Sequence, residues 1–169
     1  MKKKTLYIVR HAKSSWADLS MTDKERPLNG RGRRAAPIMA EYCKTMGFVP
    51  DLIISSTAVR AYSTAEVFKK VLGVSDDNYR KYDSLYHAPA SMYYESCYEL
   101  LETQQSVMLF GHNPGITYLA NEVSDQYIDN VPTCGLLVVT STADTWAEVD
   151  ASNSTLVSMQ VPKNLSDEV

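Results

Sequence analysis

The chain has 169 residues, a hydrophobic share of 44%, a charged share of 22% and a formal charge of −3. That length suits one domain with a substantial core, and the ordinary composition excludes a disordered, collagen-like or disulfide-stapled chain. The mild acidity argues against nucleic acid as the main partner, and no apolar run approaches the ~18 residues of a membrane span.

Residues 6–9 (LYIV) are continuous, apolar and β-prone, and predict a buried strand that stops at Arg10-His11. The lysines at 2–4 solubilise its start. The apolar run falls short of the roughly 7–15 residues of a secretory leader, so the expected compartment is the cytoplasm. Residues 12–32 lack periodicity and predict a long ordered loop over the strand end, a kind of loop that is usually functional. Residues 31–46 predict a helix with Ala35, Ile38, Met39, Tyr42 and Met46 inward, Pro37 near the first turn and Gly47 as the stop. Residues 51–55 (DLIIS) read as a second buried strand. Ser56-Thr57 then offer a cap for a helix over 58–72, with Ala61, Ala65, Phe68 and Leu72 inward.

A short strand is expected over 79–82, a turn over 85–89, and a helix over 90–102 with Tyr93, Tyr94, Cys97, Leu100 and Leu101 inward. Residues 107–110 predict the third buried strand and 116–123 the helix after it. Strands follow over 135–140 and 156–161, with another around 146–149, before a short tail that opens at Pro162-Lys163-Asn164. No repeat, low-complexity block or linker interrupts the chain, so one domain over 1–169 is expected. The alternation predicts an α/β three-layer sandwich, a mixed and mainly parallel sheet flanked by helices, with an antiparallel edge. Ligands of such sheets gather outside the carboxyl ends of the strands. His11, Ser55-Ser56 and His112 all fall at such ends and could share one crevice.

A histidine after a strand is by default structural, but Arg10 adjoins His11, and guanidinium matches phosphate oxygens well. Neutral imidazole is a competent nucleophile for phosphoryl groups. Arg60 falls near a helix N-terminus behind a buried strand, where an anion is favoured. His112 sits in GHNPG, whose glycines permit a sharp turn and close backbone approach. Two histidines and two arginines could then surround one phosphoryl group. Cys43, Cys97 and Cys134 form no CxxC or zinc spacing and read as buried free thiols. The histidines show no paired ligand spacing, so no metal is expected. The tyrosines concentrated over 79–98 read as core and cleft-wall residues, and Arg31-Arg33-Arg34 as a solvated helix face that could also attract a phosphorylated partner.

VRHAKSSW (9–16), DKERPLNGRG (23–32), PDLIISSTAVRAYSTAE (50–66), LYHA (85–88), VMLFGHNPG (107–115), PT (132–133) and PK (162–163) span most of the chain. In that order they resemble the histidine phosphatase superfamily, of phosphoglycerate mutase-like fold, and within it the short SixA-like phosphohistidine phosphatases. The resemblance implies that His11 is the nucleophile that becomes phosphorylated. It implies that Arg10, Arg60 and His112 form the phosphate pocket, that Arg26 reaches it from the long loop, and that no metal or organic cofactor is used. The usual RHG triplet stands here as Arg10-His11-Ala12. The leaving-group acid is open among Asp18, Asp23, Asp83 and His87, and Asp23 could instead orient Arg26. A weakly defined acid leans towards a phosphoramidate, because an imidazole leaving group has an ordinary pKa of only about 6.5. The expected activity is a phosphatase acting on phosphohistidine in a protein. The alternatives are a phosphatase or mutase of small phosphorylated metabolites, and a phosphate-binding module without catalysis.

Overall fold

A computed structural model of the chain describes residues 3–166. Lys2 of the basic start and the ends of the expected 1–169 unit lie outside them. Strands β1 (Lys4–Arg10), β2 (Leu52–Ser56), β3 (Tyr79–Tyr82), β4 (Ser106–Gly111), β5 (Leu136–Ser141) and β6 (Ser154–Gln160) form one sheet in the order β3-β2-β4-β1-β5-β6. β3, β2, β4 and β1 pair in parallel, and β5 and β6 complete the antiparallel edge. The helices are α1 (Gly30–Met46), α2 (Val59–Leu72), α3 (Ala90–Glu95) and α4 (Gly115–Val123). This is the expected α/β sandwich.

The period of two along each strand sorts the core into two layers. Tyr7, Val9, Ile53, Met108 and Phe110 pack with Met39 of α1 and Phe68 of α2. Leu6, Ile8, Leu52, Ile54 and Leu109 pack with Tyr93 of α3 and Ile116 of α4. Both faces are covered, which is why these strands read as unbroken apolar runs rather than alternating ones.

Several elements depart from expectation for local reasons. The Asn29 side chain accepts from the Gly32 N–H at 2.9 Å, so α1 starts at Gly30 and Pro37 falls in its interior. Met46 is exposed rather than inward. The left-handed Gly47 turn brings Phe48 back instead, and its ring lies 5.3 Å from that of Tyr7. The helix expected over 90–102 stops at Glu95. The Ser96 hydroxyl donates to Met92 O at 2.7 Å. The chain then tightens into i→i−3 bonds from Cys97 N to Tyr94 O and from Leu100 N to Cys97 O. The strand expected around 146–149 is a 3-10 turn, Trp146–Glu148, closed by the reciprocal Thr145–Glu148 cap, with Trp146 Nε1 donating to Gln104 O at 2.7 Å. Among the described residues no helix is long and apolar enough to cross a membrane.

Candidate active site

β1 and β4 lie side by side with Arg10 paired to Gly111. The next residue of each strand is a histidine, and the two imidazoles stand 5.3 Å apart between ring centroids. His11 N donates to Gly111 O at 3.0 Å, and the Cys134 N–H bonds the carbonyls of Arg10 and His11 at 2.9 and 3.0 Å. The mouth of β1 is therefore held by backbone from both neighbouring strands. Gly111 has no room for a side chain: a Cβ there would lie 2.1 Å from the Tyr93 hydroxyl. That hydroxyl accepts from the His112 N–H at 3.0 Å and donates to His112 O at 3.3 Å.

His11 is buried, and its Nδ1 lies 2.7 Å from Ala12 O. A carbonyl only accepts, so Nδ1 carries the proton and Nε2 keeps its lone pair when the ring is neutral. Burial pushes His11 down to about 4, and the charges of Arg60, Arg10 and Arg26 push the same way, against the Ala12 carbonyl. His112 Nε2 lies 2.8 Å from the Ser56 hydroxyl, whose oxygen accepts from Ala58 N at 3.2 Å and whose hydrogen is free for Nε2, an arrangement that puts the single proton of the neutral His112 ring on Nδ1. Burial, then the neighbouring His11 and Arg60, lowers His112 to about 3. Its buried Nδ1 has no partner, and neither has the buried Nε of Arg10. Unpaired buried polar atoms are rare in folded proteins; of the four among the described residues, these two belong to residues beside His11 and the others are the Tyr79 and Tyr94 hydroxyls.

Arg10 donates from Nη1 to Val131 O at 2.9 Å. Burial and then the charge of Arg60 lower its pKa. Arg60 is buried in the first turn of α2, whose N-cap is Ala58 rather than the expected Ser56-Thr57 pair, because the Ser56 hydroxyl meets His112 instead. The α2 residue Thr64 accepts from Ala12 N at 3.0 Å and donates to Arg60 O at 2.7 Å, tying that turn to the segment that carries His11.

The long loop closes on its own start. Ser14 bridges to Leu28, and Asn29 N donates to Lys13 O at 2.9 Å. Loop atoms engage the Arg26 guanidinium: Ser15 O at 3.0 Å, the Ser14 hydroxyl at 2.6 Å and Asp23 at 3.1 Å, with the Trp16 ring 3.2 Å away. Asp23 also accepts from Tyr86 at 2.6 Å and from Arg60 at 3.0 Å. The Tyr86 bond, followed by those from Arg60 and Arg26, holds the Asp23 carboxyl far below the ordinary range. Arg26 and Arg60 thus share one carboxylate and Arg10 meets only the Val131 carbonyl among the described residues, which leaves a buried surplus of positive charge for an anion.

The acid candidates separate on this geometry. Asp23 is ionised by its partners. Asp83 is held low by Lys24 and Thr57, and the exposed Asp18 by Ser20. His87 remains: it is exposed, left-handed at φ 55°, and its ring lies 3.9 Å from that of Tyr86, which meets His112 edge-on at 5.6 Å. The cysteines are buried and free; burial lifts Cys43 to about 12 and Cys97 and Cys134 higher still, so none is a thiolate nucleophile at neutral pH. Among the described residues no group of three His, Cys, Asp or Glu is placed to hold a metal ion. Sequence reasoning set Ser56 at the shared crevice but missed its bond to His112, and it missed the positions of Thr64, Tyr86 and Tyr93 around the site. Ser56 read as a helix cap and the tyrosines as packing, and no residue pattern distinguishes those uses.

Comparison with known proteins agrees with this geometry. The family model of the histidine phosphatase superfamily (branch 1) matches residues 6–82. An uncharacterized chloroplastic protein of Arabidopsis thaliana is 30% identical over 154 residues, covering 86% of this chain and 70% of its own. The Agrobacterium tumefaciens protein provisionally assigned as phosphohistidine phosphatase SixA is 30% identical, with a TM-score of 0.77 over 94% of this chain and 98% of that one. The protein histidine phosphatase SixA in complex with tungstate shares the fold at a TM-score of 0.79 and 22% identity, over 96% of this chain and 99% of that one. The chain belongs to the histidine phosphatase superfamily as a phosphatase of the SixA-like type.

Proposed function

We propose that the protein hydrolyses phosphohistidine in a polypeptide, in the cytoplasm, through a phosphoryl group carried on His11. The observation that carries this reading is the 2.7 Å contact of His11 Nδ1 with Ala12 O. It fixes the tautomer whose Nε2 lone pair is free for in-line attack, and burial keeps the ring unprotonated. In the first step a bond forms from His11 Nε2 to phosphorus. The bond to the substrate imidazole, whose other ring nitrogen carries a proton, breaks, and the leaving nitrogen takes the electron pair, so that neutral imidazole departs. In the second step water attacks phosphorus, the bond to His11 Nε2 breaks, His11 recovers its pair, and the water proton leaves with the phosphate. Arg10, Arg60 and the unpartnered Nδ1–H of His112 would meet the phosphoryl oxygens, where fixed donors stabilise the transition state. Arg26 acts mainly through charge, since its guanidinium is engaged within the loop.

The leaving group supports the substrate class. The carboxylates of Asp18, Asp23 and Asp83 are all held ionised, so none is poised to protonate an alkoxide. An imidazole needs far less help. The three buried free cysteines suit a reducing compartment, and the single sheet supports reading the 1–169 chain as one catalytic unit. The tungstate complex of a protein with this fold further supports an oxyanion pocket.

Alkaline quenching of a reaction with a phosphohistidine peptide, followed by peptide mass analysis, should find phosphate on His11. His11→Ala should lose that label and at least about a thousandfold in turnover. Full activity in His11→Ala would overturn the mechanism. Faster turnover of sugar phosphates or nucleotides than of the peptide would overturn the substrate class alone.

A further inference from the structure

Beside the reactive histidine lies a second cationic feature that the phosphoryl chemistry does not use. Lys13, Arg31 and Lys163 line a cleft of about 180 Å³. They come from three separate segments: the start of the long loop, the first turn of α1 and the 3-10 turn Pro162–Asn164. None of the three forms an ion pair among the described residues, and no carboxylate lines the cleft. In a chain of formal charge −3, this is a local concentration of uncompensated positive charge. The first turn of α1 carries no acidic residue either, so its free N–H groups add to the same field.

The remaining walls narrow the choice of ligand. Ala35, Pro132 and Val161 give the cleft an apolar floor, which suits a carboxylate borne on methylene groups better than a bare inorganic ion. Its volume of about 180 Å³ is below the ~300–1,000 Å³ of pockets that hold drug-sized ligands, so it suits a single side chain. The cleft shares a wall with the active site. Thr133 lines it, and the next residue, Cys134, donates its N–H to the carbonyls of Arg10 and His11. Lys13 follows His11 by two residues, so their Cα atoms are at most about 7 Å apart.

We propose that this cleft is a second anion site, which seats an aspartate or glutamate side chain of the polypeptide substrate close in sequence to its phosphorylated residue. At extended-chain spacing the acidic residue lies roughly two to four positions from the phosphohistidine. The site selects among phosphorylated proteins, whereas Arg10, Arg60 and His112 see only the phosphoryl group. The proposal rests on the phosphohistidine reading for the identity of the peptide and on the cleft itself for the anion.

The test uses the full-length protein, isotope-labelled, and two unphosphorylated hexapeptides around a central histidine. One carries two aspartates beside it and the other two asparagines. The aspartate peptide should shift the amide signals of Ala35, Thr133 and Val161 saturably, and should bind about tenfold tighter than its counterpart. Arg31→Ala with Lys163→Ala should abolish that preference, and Arg31→Lys with Lys163→Arg should retain it. Equal binding of the two peptides, or shifts confined to residues 10–12 and 112, would overturn the proposal. Shifts that emerge only after Asp167→Asn and Glu168→Gln would assign the cleft to the chain's own tail and overturn it as well. Should neither phosphorylated peptide be hydrolysed while the aspartate form still seats in the cleft, the substrate reading fails and the anion site stands.

Discussion

Asp23 holds Arg60 from two sides: its backbone carbonyl accepts from Nη1 at 2.6 Å and its carboxylate accepts from Nη2 at 3.0 Å. A loop residue thereby fixes the angle of an arginine that α2 supplies, while its second carboxylate oxygen holds Arg26 at 3.1 Å. Asp23 is a positioning residue in this arrangement.

Asp23→Asn should keep the fold and lower kcat/KM by roughly 10- to 100-fold, the worth of one or two charge-assisted hydrogen bonds. Steady-state kinetics beside a circular dichroism spectrum would show it. Wild-type kinetics in the variant would remove Asp23 from the positioning of the arginines.

His87 should matter in proportion to the difficulty of the leaving group. For an alkyl phosphate, His87→Ala should slow turnover by about a hundredfold; for a phosphohistidine peptide the change should stay within about threefold. Equal losses on both substrates would mean that His87 shapes the rim and donates no proton.

Acid should unfold the protein through its buried imidazoles. His11 titrates near about 4 and His112 near about 3 in the folded chain, whereas an unfolded histidine takes its proton near ~6.5. Between those values the unfolded state binds more protons, so stability is full above about 6.5 and drains as pH falls towards 4. Tm should be level from pH 8 to 6.5 and decline below, and the double variant His11→Asn with His112→Asn should decline less over the same window. An identical decline in both proteins would sink the assignment to these two rings.

Gly111→Ala should destabilise the fold by roughly 1–3 kcal/mol, as overpacking does, because the added carbon meets the Tyr93 hydroxyl and ring. Gly111→Ala combined with Tyr93→Phe should recover part of the loss, since the nearest obstructing atom is then gone. Denaturant melts of the three proteins would measure this, and additive losses would contradict the clash.

The parallel core was legible because β1, β2 and β4 are short apolar runs between turn signals, and each of them ends at or next to a buried polar side chain, His11, Ser56 or His112. Arg10, His11, Arg60 and His112 were legible for the same reason, with ordered motifs to connect them. What the residues hid was side-chain partnership. Asp23 joins Arg60 and Tyr86 across separations of 37 and 63 residues, and Ser56 meets His112 across 56. No local pattern encodes such pairs. The shortened α3 was hidden differently: Cys97 and Leu100 are buried as a helix would bury them, yet i→i−3 turns place them there, and apolar spacing alone does not separate the two.

The Arg10–Gly111 pairing makes the sheet a ruler for the reaction. His11 and His112 are each one peptide beyond the same rung, so their separation is fixed by backbone hydrogen bonds rather than by either side chain. A single-residue insertion in β1 or β4 would advance one histidine by about 3.3 Å and turn it to the opposite face of the sheet. Within these strands the chain can accept changes of side chain but not of length.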